Sequence, residues 1–366
     1  MKFIRIFLLT QLLSAALMLV SPLVLAQEVP PHDWHDKVEK LLDRGSPPAE
    51  TFVWNKKLAA RDVGASMRGG EVKWATNIFL CHSDSDDQYG ACATSAGSGA
   101  SSRIKLRFTE LRSGVSHSLE LEATRNPYSS TNLNSKALNN SGFASDSPNN
   151  LLHVYISSSE MSQLPGGGIW KGHLKLRQMH KQAQVAVNEA EIVLHVTDTK
   201  NVQIYLPGHN TTAPTVDLGL SQPNGRDSRT TGSRSIDMCL YDGFGSNSSW
   251  FEVTVKDDLS GLRRKPGSFS VVRQGTSGGF YDRIDYGVSY LHEGQQKTLT
   301  NGETVRLTGG NGTGLRSVHL PNIPVPVMCQ PMPLTLETPE FNAKDKRAGS
   351  YSGKLRIIFS PSAQSL

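Results

Sequence analysis

The run YSGKLRIIFSPSAQSL, Tyr351 to Leu366, decides the fold. Leu355, Ile357 and Phe359 alternate with Lys354, Arg356 and Ile358, the period of two of a half-buried β-strand. A Ser-Pro pair and a few polar residues follow, with no hairpin partner after them. The expectation is a β-protein whose last strand has no sequence neighbour on one side.

Working outward, the opposite end carries an export leader. Lys2 and Arg5 form a charged start, Ile6 to Val20 is largely apolar, and Val24-Leu25-Ala26 supplies small residues for cleavage before Gln27. The leader is therefore read as residues 1–26 rather than as a retained anchor, because Ser21, Pro22 and the polar stretch after Gln27 interrupt the apolar run. Charged residues make up 19% of the chain, and the formal net charge is +5. Two of those charges sit in the leader and the rest nearly balance in each half, so the charge field of a nucleic-acid binder is missing. The four cysteines of an exported chain imply two disulfides. Their grouping along the chain pairs Cys81 with Cys92 and Cys239 with Cys329, each bridge contributing about 2–4 kcal/mol.

From about residue 50 the chain is a succession of short alternating runs separated by Gly, Ser, Asn and Pro clusters. Arg103–Phe108, Ser118–Glu122, Leu151–Ile156, His173–Arg177 and Ala190–Val196 are clear in the first half. The pattern pauses at Thr197–Lys200 and resumes at Val202–Leu206, which places a domain boundary there. The second half gives runs at Ile236–Leu240, Phe251–Val255, Phe269–Val272, Ile284–Leu291, Glu303–Leu307, Leu334–Leu336 and Lys354–Phe359. An all-β chain with two sandwiches in tandem follows, over residues 27–200 and 201–366. One exception is HDWHDKVEKLLDR, where Trp34, Val38, Leu41 and Leu42 have the spacing of one face of a short helix. Asn126–Asn150 reads as a long polar loop.

Catalytic motifs do not survive inspection. Gly275-Thr276-Ser277-Gly278-Gly279 matches G-x-S-x-G but lies between two β-patterns, not on the strand-to-helix elbow that the motif requires. Asp84–Asp87 is acidic but lacks the glycine and distal glutamate of a calcium loop. No metal or cofactor site is expected. Two basic strand faces are more informative. Arg103, Lys105 and Arg107 share one face of their strand, and Lys171, His173, Lys175 and Arg177 share one face of another. Glu120 and Glu122, and Glu189 and Glu191, lie on strands able to neutralise them at about 0.2–1 kcal/mol per facing pair. Faces of this kind suit an acidic glycan, since arginine grips a carboxylate bidentately.

Ile236-Asp237-Met238-Cys239-Leu240-Tyr241-Asp242-Gly243 and Tyr351-Ser352-Gly353-Lys354-Leu355, together with the two-domain size, resemble the tip adhesins and biogenesis initiators of class five fimbriae. These fimbriae are assembled by the alternate chaperone–usher pathway. The resemblance implies an N-terminal adhesin domain and a C-terminal pilin domain, both immunoglobulin-like, the second lacking its last strand. It further implies a non-enzymatic, cofactor-free protein, exported through the periplasm to the tip of a fimbrium on the cell surface. Its partners would be a periplasmic pilus chaperone, an outer-membrane usher, the major pilin and a host-cell glycan or glycoprotein receptor. Leu355, Ile357 and Phe359 would border the groove that receives a strand from another chain. In this family receptor binding is attributed to a positive patch on the adhesin domain. Only that kind of site carries over, so the candidates stay those of the strand pattern: Lys171, His173, Lys175 and Arg177 first, then Arg103, Lys105 and Arg107. Gln27–Trp34 does not alternate and contains two prolines, so it is unsuited to act as a donor strand. The competing readings are a periplasmic pilus chaperone and a secreted glycan-active β-sandwich enzyme.

Overall fold

The computed structural model describes residues 28–62, 73–126, 135–142, 149–209, 211, 213–221, 229–308 and 314–362. The leader lies outside these residues. The first half holds β1 (Trp34–Asp43), β2 (Glu50–Arg61), β3 (Ile78–Leu80), β4 (Ser102–Glu110), β5 (Ser116–Arg125), β6 (Asn149–Ser157), β7 (Gly168–His180) and β8 (Ala183–Thr197). They form one eight-stranded sheet in the order β1-β8-β7-β4-β5-β6-β2, with β3 paired to β7. The sheet curls around a core of Phe79, Ile104, Leu106, Phe108, Leu119, Leu121, Trp170 and Leu174. Its two edges meet through side chains. Trp54 donates its indole N–H to Asp36 Oδ2 at 2.8 Å, and the Trp34 and Trp54 rings meet edge-on at 5.8 Å.

The helix expected at residues 32–44 is instead β1, running parallel to β8 from Trp34↔Asn188 to Asp43↔Thr197. Its inward positions are Trp34, Asp36 and Val38, and Leu41 is 54% exposed. A carboxylate at an inward position hid the period of two. Asp36 is tolerated there because Trp54 and the Lys57 ammonium both bond it. The described part of the expected 126–150 loop is anchored rather than free. Leu138 is buried, and its carbonyl accepts the Phe79 amide at 2.8 Å.

The second half holds β9 (Gln203–Tyr205), β10 (Arg229–Ile236), β11 (Cys239–Tyr241), β12 (Trp250–Asp257), β13 (Phe269–Arg273), β14 (Arg283–His292), β15 (Gln295–Leu299), β16 (Thr304–Thr308), β17 (Arg316–Val318), β18 (Val327–Pro331), β19 (Leu334–Asn342), β20 (Tyr351–Ser352) and β21 (Leu355–Pro361). One sheet runs β10-β19-β14-β13-β20 with β15 on β14, a second β17-β18-β11-β9, and a third β16-β12-β21. They enclose a core of Phe251, Val253, Val255, Phe269, Val288 and Leu334. The chain changes sheet between Ser352 and Leu355. Tyr351 and Ser352 pair with β13, whereas Leu355 onward pairs with β12. The expected single strand Ile236–Leu240 is likewise split, β10 and β11 belonging to different sheets. Cys239 and Cys329 are bridged between β11 and β18, and Cys81 and Cys92 are bridged in the first domain. The Ser277 motif lies in the connection between β13 and β14, as its flanks require.

Asp257 ties the end of β12 to the loop before β13. Burial by itself would raise its carboxyl, but Arg264, Asn301 and the Ser270 amide outweigh that and hold it below its ordinary value of 3.8. Arg264 Nη2 lies 2.9 Å from Oδ1, and the Ser270 amide donates to Oδ2 at 2.9 Å. A carboxylate depressed in the folded state contributes stability that is present above its unfolded pKa and lost as pH falls through the folded one. Melting temperatures measured from pH 7 down to pH 2 should therefore fall below about pH 4. Asp257→Asn should be less stable at neutral pH and show a shallower acid limb. Equal slopes for the two proteins would contradict this account.

Candidate functional site

The two basic strands are joined by the disulfide loop. β4 and β7 pair only at Phe108–Glu110 against Trp170–Gly172. Beyond that they part, and residues 87–91 fill the gap. Ala91 and Lys105 exchange backbone hydrogen bonds at 2.8 and 3.0 Å, the Arg107 amide donates to Asp87 O at 2.9 Å, and the Lys175 amide donates to Tyr89 O at 3.0 Å. Gly90 is the point of the wedge. Its φ is +98°, and a Cβ there would stand 2.9 Å from both Ile104 and Leu174. The loop that the sequence presents as a solvated acidic segment is thus a structural insert. Burial would raise the Asp87 carboxyl, yet Ser118 and Arg107 together hold it low.

Most of the basic side chains already have acidic partners. Arg103 Nη1 lies 2.9 Å from Glu120 Oε2, and Arg107 Nε donates to Asp87 Oδ1 at 2.8 Å. Lys171 lies 3.2 Å from Glu191, while His173 and Lys175 each lie 2.9 Å from Glu189. The Lys175 ammonium is raised by its hydrogen bond to Glu189, and the Glu189 carboxyl is lowered chiefly by that same bond. The acids of β8 are shared with a third strand, because β1 sets His35 opposite Glu189 and Lys37 opposite Glu191.

Two of the seven candidates differ from the rest. Lys105 is exposed, and among the described residues neither it nor Arg177 has an ion-pair partner. Arg177 Nη2 donates to the Cys81 carbonyl at 3.0 Å, while its Nε is buried without a partner. His82 beside them is pushed down by burial first, then by the charges of Arg177 and Lys175. The two cations without an ion pair therefore lie on either side of the Cys81–Cys92 loop, Lys105 standing opposite Glu120 in the β4–β5 ladder. Sequence reasoning overlooked His82 and His35. The available signal was a disulfide loop placed immediately before the first basic strand.

The second half of the chain carries a different feature. β21 pairs with β12 from Leu355↔Asp257 to Pro361↔Phe251, and among the described residues no strand pairs its other edge. Leu355, Ile357 and Phe359 pack on the second-domain core but stay half-buried, with the Phe251 and Phe359 rings 5.8 Å apart.

Between the domains, the MCLYDG segment forms the junction. Cys239-Leu240-Tyr241 is β11, and Asp242 accepts the amides of Phe244, Ser246 and Ser248 at 2.8, 2.8 and 2.9 Å to shape the next turn. Gly243, at φ +70°, takes the Asp198 amide on its carbonyl at 2.7 Å, and a Cβ there would stand 2.5 Å from Asp198 O. Arg112 Nη1 donates to Ser246 O at 2.7 Å across the same junction.

The family models for the first and second domains of CfaE, a component of CFA/I fimbriae, match residues 23–199 and 202–363. The chain belongs to the CfaE family of fimbrial proteins. A curated relative, the CfaE-type CFA/I fimbrial protein of Escherichia coli, is 32% identical over 303 residues, spanning 79% of this chain and 81% of that protein. The crystal structure of CfaE, the adhesive component of CFA/I fimbria of enterotoxigenic E. coli, superposes with a TM-score of 0.76 at 29% identity, covering 92% of this chain and 95% of that one. A chaperone–tip adhesin complex of CFA/I fimbriae biogenesis gives 0.67 at 28% identity, covering 92% and 98%. Membership places this chain among adhesive fimbrial proteins and not among enzymes, so the chaperone and glycan-active enzyme readings are set aside.

Proposed function

We propose that this chain is the adhesive protein at the tip of a fimbrium, exported through the periplasm after loss of residues 1–26. Residues 27–200 would form the receptor-binding domain and residues 201–366 an incomplete pilin fold. The observation that carries the reading is the edge of β21 that no described strand pairs, with Leu355, Ile357 and Phe359 half-buried beside it. An apolar slot next to unpaired backbone groups is a template for strand addition and an aggregation hazard until it is filled. A periplasmic chaperone would fill it first and the N-terminal strand of the major pilin afterwards, at the usher, with this chain initiating the fibre. The solved chaperone–tip adhesin complex of the relative supports the first of these partners.

Receptor contact is assigned to the cations around the disulfide loop that lack an ion pair among the described residues, Arg177 and Lys105, with Lys175, His173, Lys171, Arg103 and Arg107 as a charge-balanced surround. An acidic glycan is the favoured ligand class, because charge-assisted hydrogen bonds from Arg and Lys to a carboxylate are the strong ones. Arg177→Ala combined with Lys105→Ala should reduce adhesion to receptor-bearing cells by about tenfold or more, the scale of losing one charge-assisted hydrogen bond. Fimbriae should still assemble, and raising the salt concentration should weaken wild-type adhesion in parallel. Undiminished adhesion with normal fimbriae would remove the receptor from this surface.

A further inference from the structure

His35, Glu189 and His173 stand on three adjacent strands, β1, β8 and β7, on the outward face of the sheet. Registry places His35 opposite Glu189 from one side and Lys175 opposite it from the other, with His173 on the diagonal. His173 Nε2 lies 2.9 Å from Glu189 Oε2, and His35 Nδ1 lies 3.5 Å from the same oxygen. One ligand atom from each of the three residues falls within 4.8 Å of the others. The His35 and His173 rings meet edge-on at 5.7 Å, and the Tyr89 ring also meets His173 edge-on at 5.4 Å.

We propose that His35, His173 and Glu189 bind one divalent transition-metal ion, Zn²⁺ by preference. Metal–ligand bonds near 2.0–2.1 Å put the ligand atoms of a tetrahedral site roughly 3.3 Å apart, so small side-chain rotations close this triangle. Two imidazoles and one carboxylate suit zinc, nickel or copper. Calcium and magnesium, which need several oxygen ligands, are poorly served here. Lys175 holds the other carboxylate oxygen, Oε1, at 2.9 Å. It thereby orients Glu189 with Oε2 toward the histidines, while its charge opposes the incoming cation. The fourth position faces solvent. A bound ion would fasten β1 to β8 and β7 by their side chains, in addition to the backbone ladder. This site does not depend on the receptor assignment.

The test is a titration of the full chain, carrying no polyhistidine tag, with Zn²⁺ against a chromophoric chelator, backed by the visible absorption of bound Co²⁺. One equivalent is expected, with a tetrahedral cobalt spectrum and a melting temperature that rises with zinc concentration. His35→Ala, His173→Ala and Glu189→Gln should each weaken binding by at least about tenfold, since even removing a group behind a metal ligand costs that much. Lys175→Met keeps every ligand and removes the opposing charge, so it should tighten binding. It decides the matter if a histidine variant fails to fold. Lack of stoichiometric binding, binding undiminished in both histidine variants, or weaker binding in Lys175→Met would overturn the proposal.

Discussion

Fusing the N-terminal segment of the major pilin behind Leu366, through a short flexible linker, should raise the melting temperature of this chain by roughly 10 °C and suppress its aggregation. The argument begins at β21. Its free edge leaves backbone donors and acceptors without strand partners among the described residues, and three apolar side chains are covered only on one side. Full burial of such a side chain contributes about 1.5–3 kcal/mol, of which half-burial has realised part. Completing it and adding a ladder of backbone bonds should bring roughly 4–5 kcal/mol. For a domain of this size each kilocalorie moves the midpoint by about 2–4 °C. Tethering makes the strand exchange intramolecular, so the slot is filled at about millimolar effective concentration. Substituting aspartate at Ile357 in the fusion should abolish most of the gain, because its half-buried side chain would then be an unpaired charge. A fusion that melts where the unfused chain melts would show that β21 needs no added strand.

The second large effect is expected at Arg125, the last residue of β5. Its side chain is fully buried, and among the described residues no carboxylate lies against it. The guanidinium donates instead to the backbone carbonyls of Ala75, at 2.9 Å, and of Asn140 and Gly142. Burial alone pulls its pKa down to about 10, still well above neutrality, so it stays charged. It gathers two irregular segments onto the sheet, beside Asn150, whose amide reaches the carbonyls of Trp74 and Asn77 at 3.1 and 2.9 Å. Arg125→Met relieves the buried charge but takes the guanidinium from three carbonyls, leaving Ala75 O only the Asn126 side-chain amide at 3.5 Å. At about 1–3 kcal/mol for each unsatisfied group, the net loss should be roughly 3–5 kcal/mol. The midpoint of the first domain should drop by roughly 10 °C, with proteolytic nicking appearing near residues 73–77 and 135–142. A shift under about 2 °C would mean that water replaces the guanidinium at little cost.

How far these features were legible depended on the regularity of each strand. β4 was transparent because Ile104, Leu106 and Phe108 are all buried while Arg103, Lys105 and Arg107 are all exposed. β2 was opaque because its pairing with β6 slips between Phe52 and Trp54, again between Trp54 and Lys57, and again between Leu58 and Ala60. Each irregularity breaks the alternation on which sequence reading rests. β1 was misread for a different reason, one inward carboxylate satisfied by residues of another strand. β11 has all three residues buried and offers no alternation at all. The basic faces were visible, as was the possibility that Glu189 and Glu191 neutralise one of them. What sequence could not supply was the third strand that shares those acids, or the disulfide loop seated between β4 and β7. Both depend on registry across residues far apart in the chain.

β8 is the longest strand of the first domain, and it runs straight into the junction at Asp198. β7 flanks it from Ala183 to Val196 on one side, and β1 from Asn188 to Thr197 on the other. A surface appendage in flowing liquid is pulled, and with the receptor held near the disulfide loop, as proposed above, the tension would pass through this strand. Bonds between β7 and β8 lie across the strand axis. A pull along β8 therefore loads them side-on and together, as a glued lap joint is loaded, instead of peeling them one at a time. The first domain is joined to the second by the end of its best-buttressed strand, and rupture under a pull along it should start elsewhere.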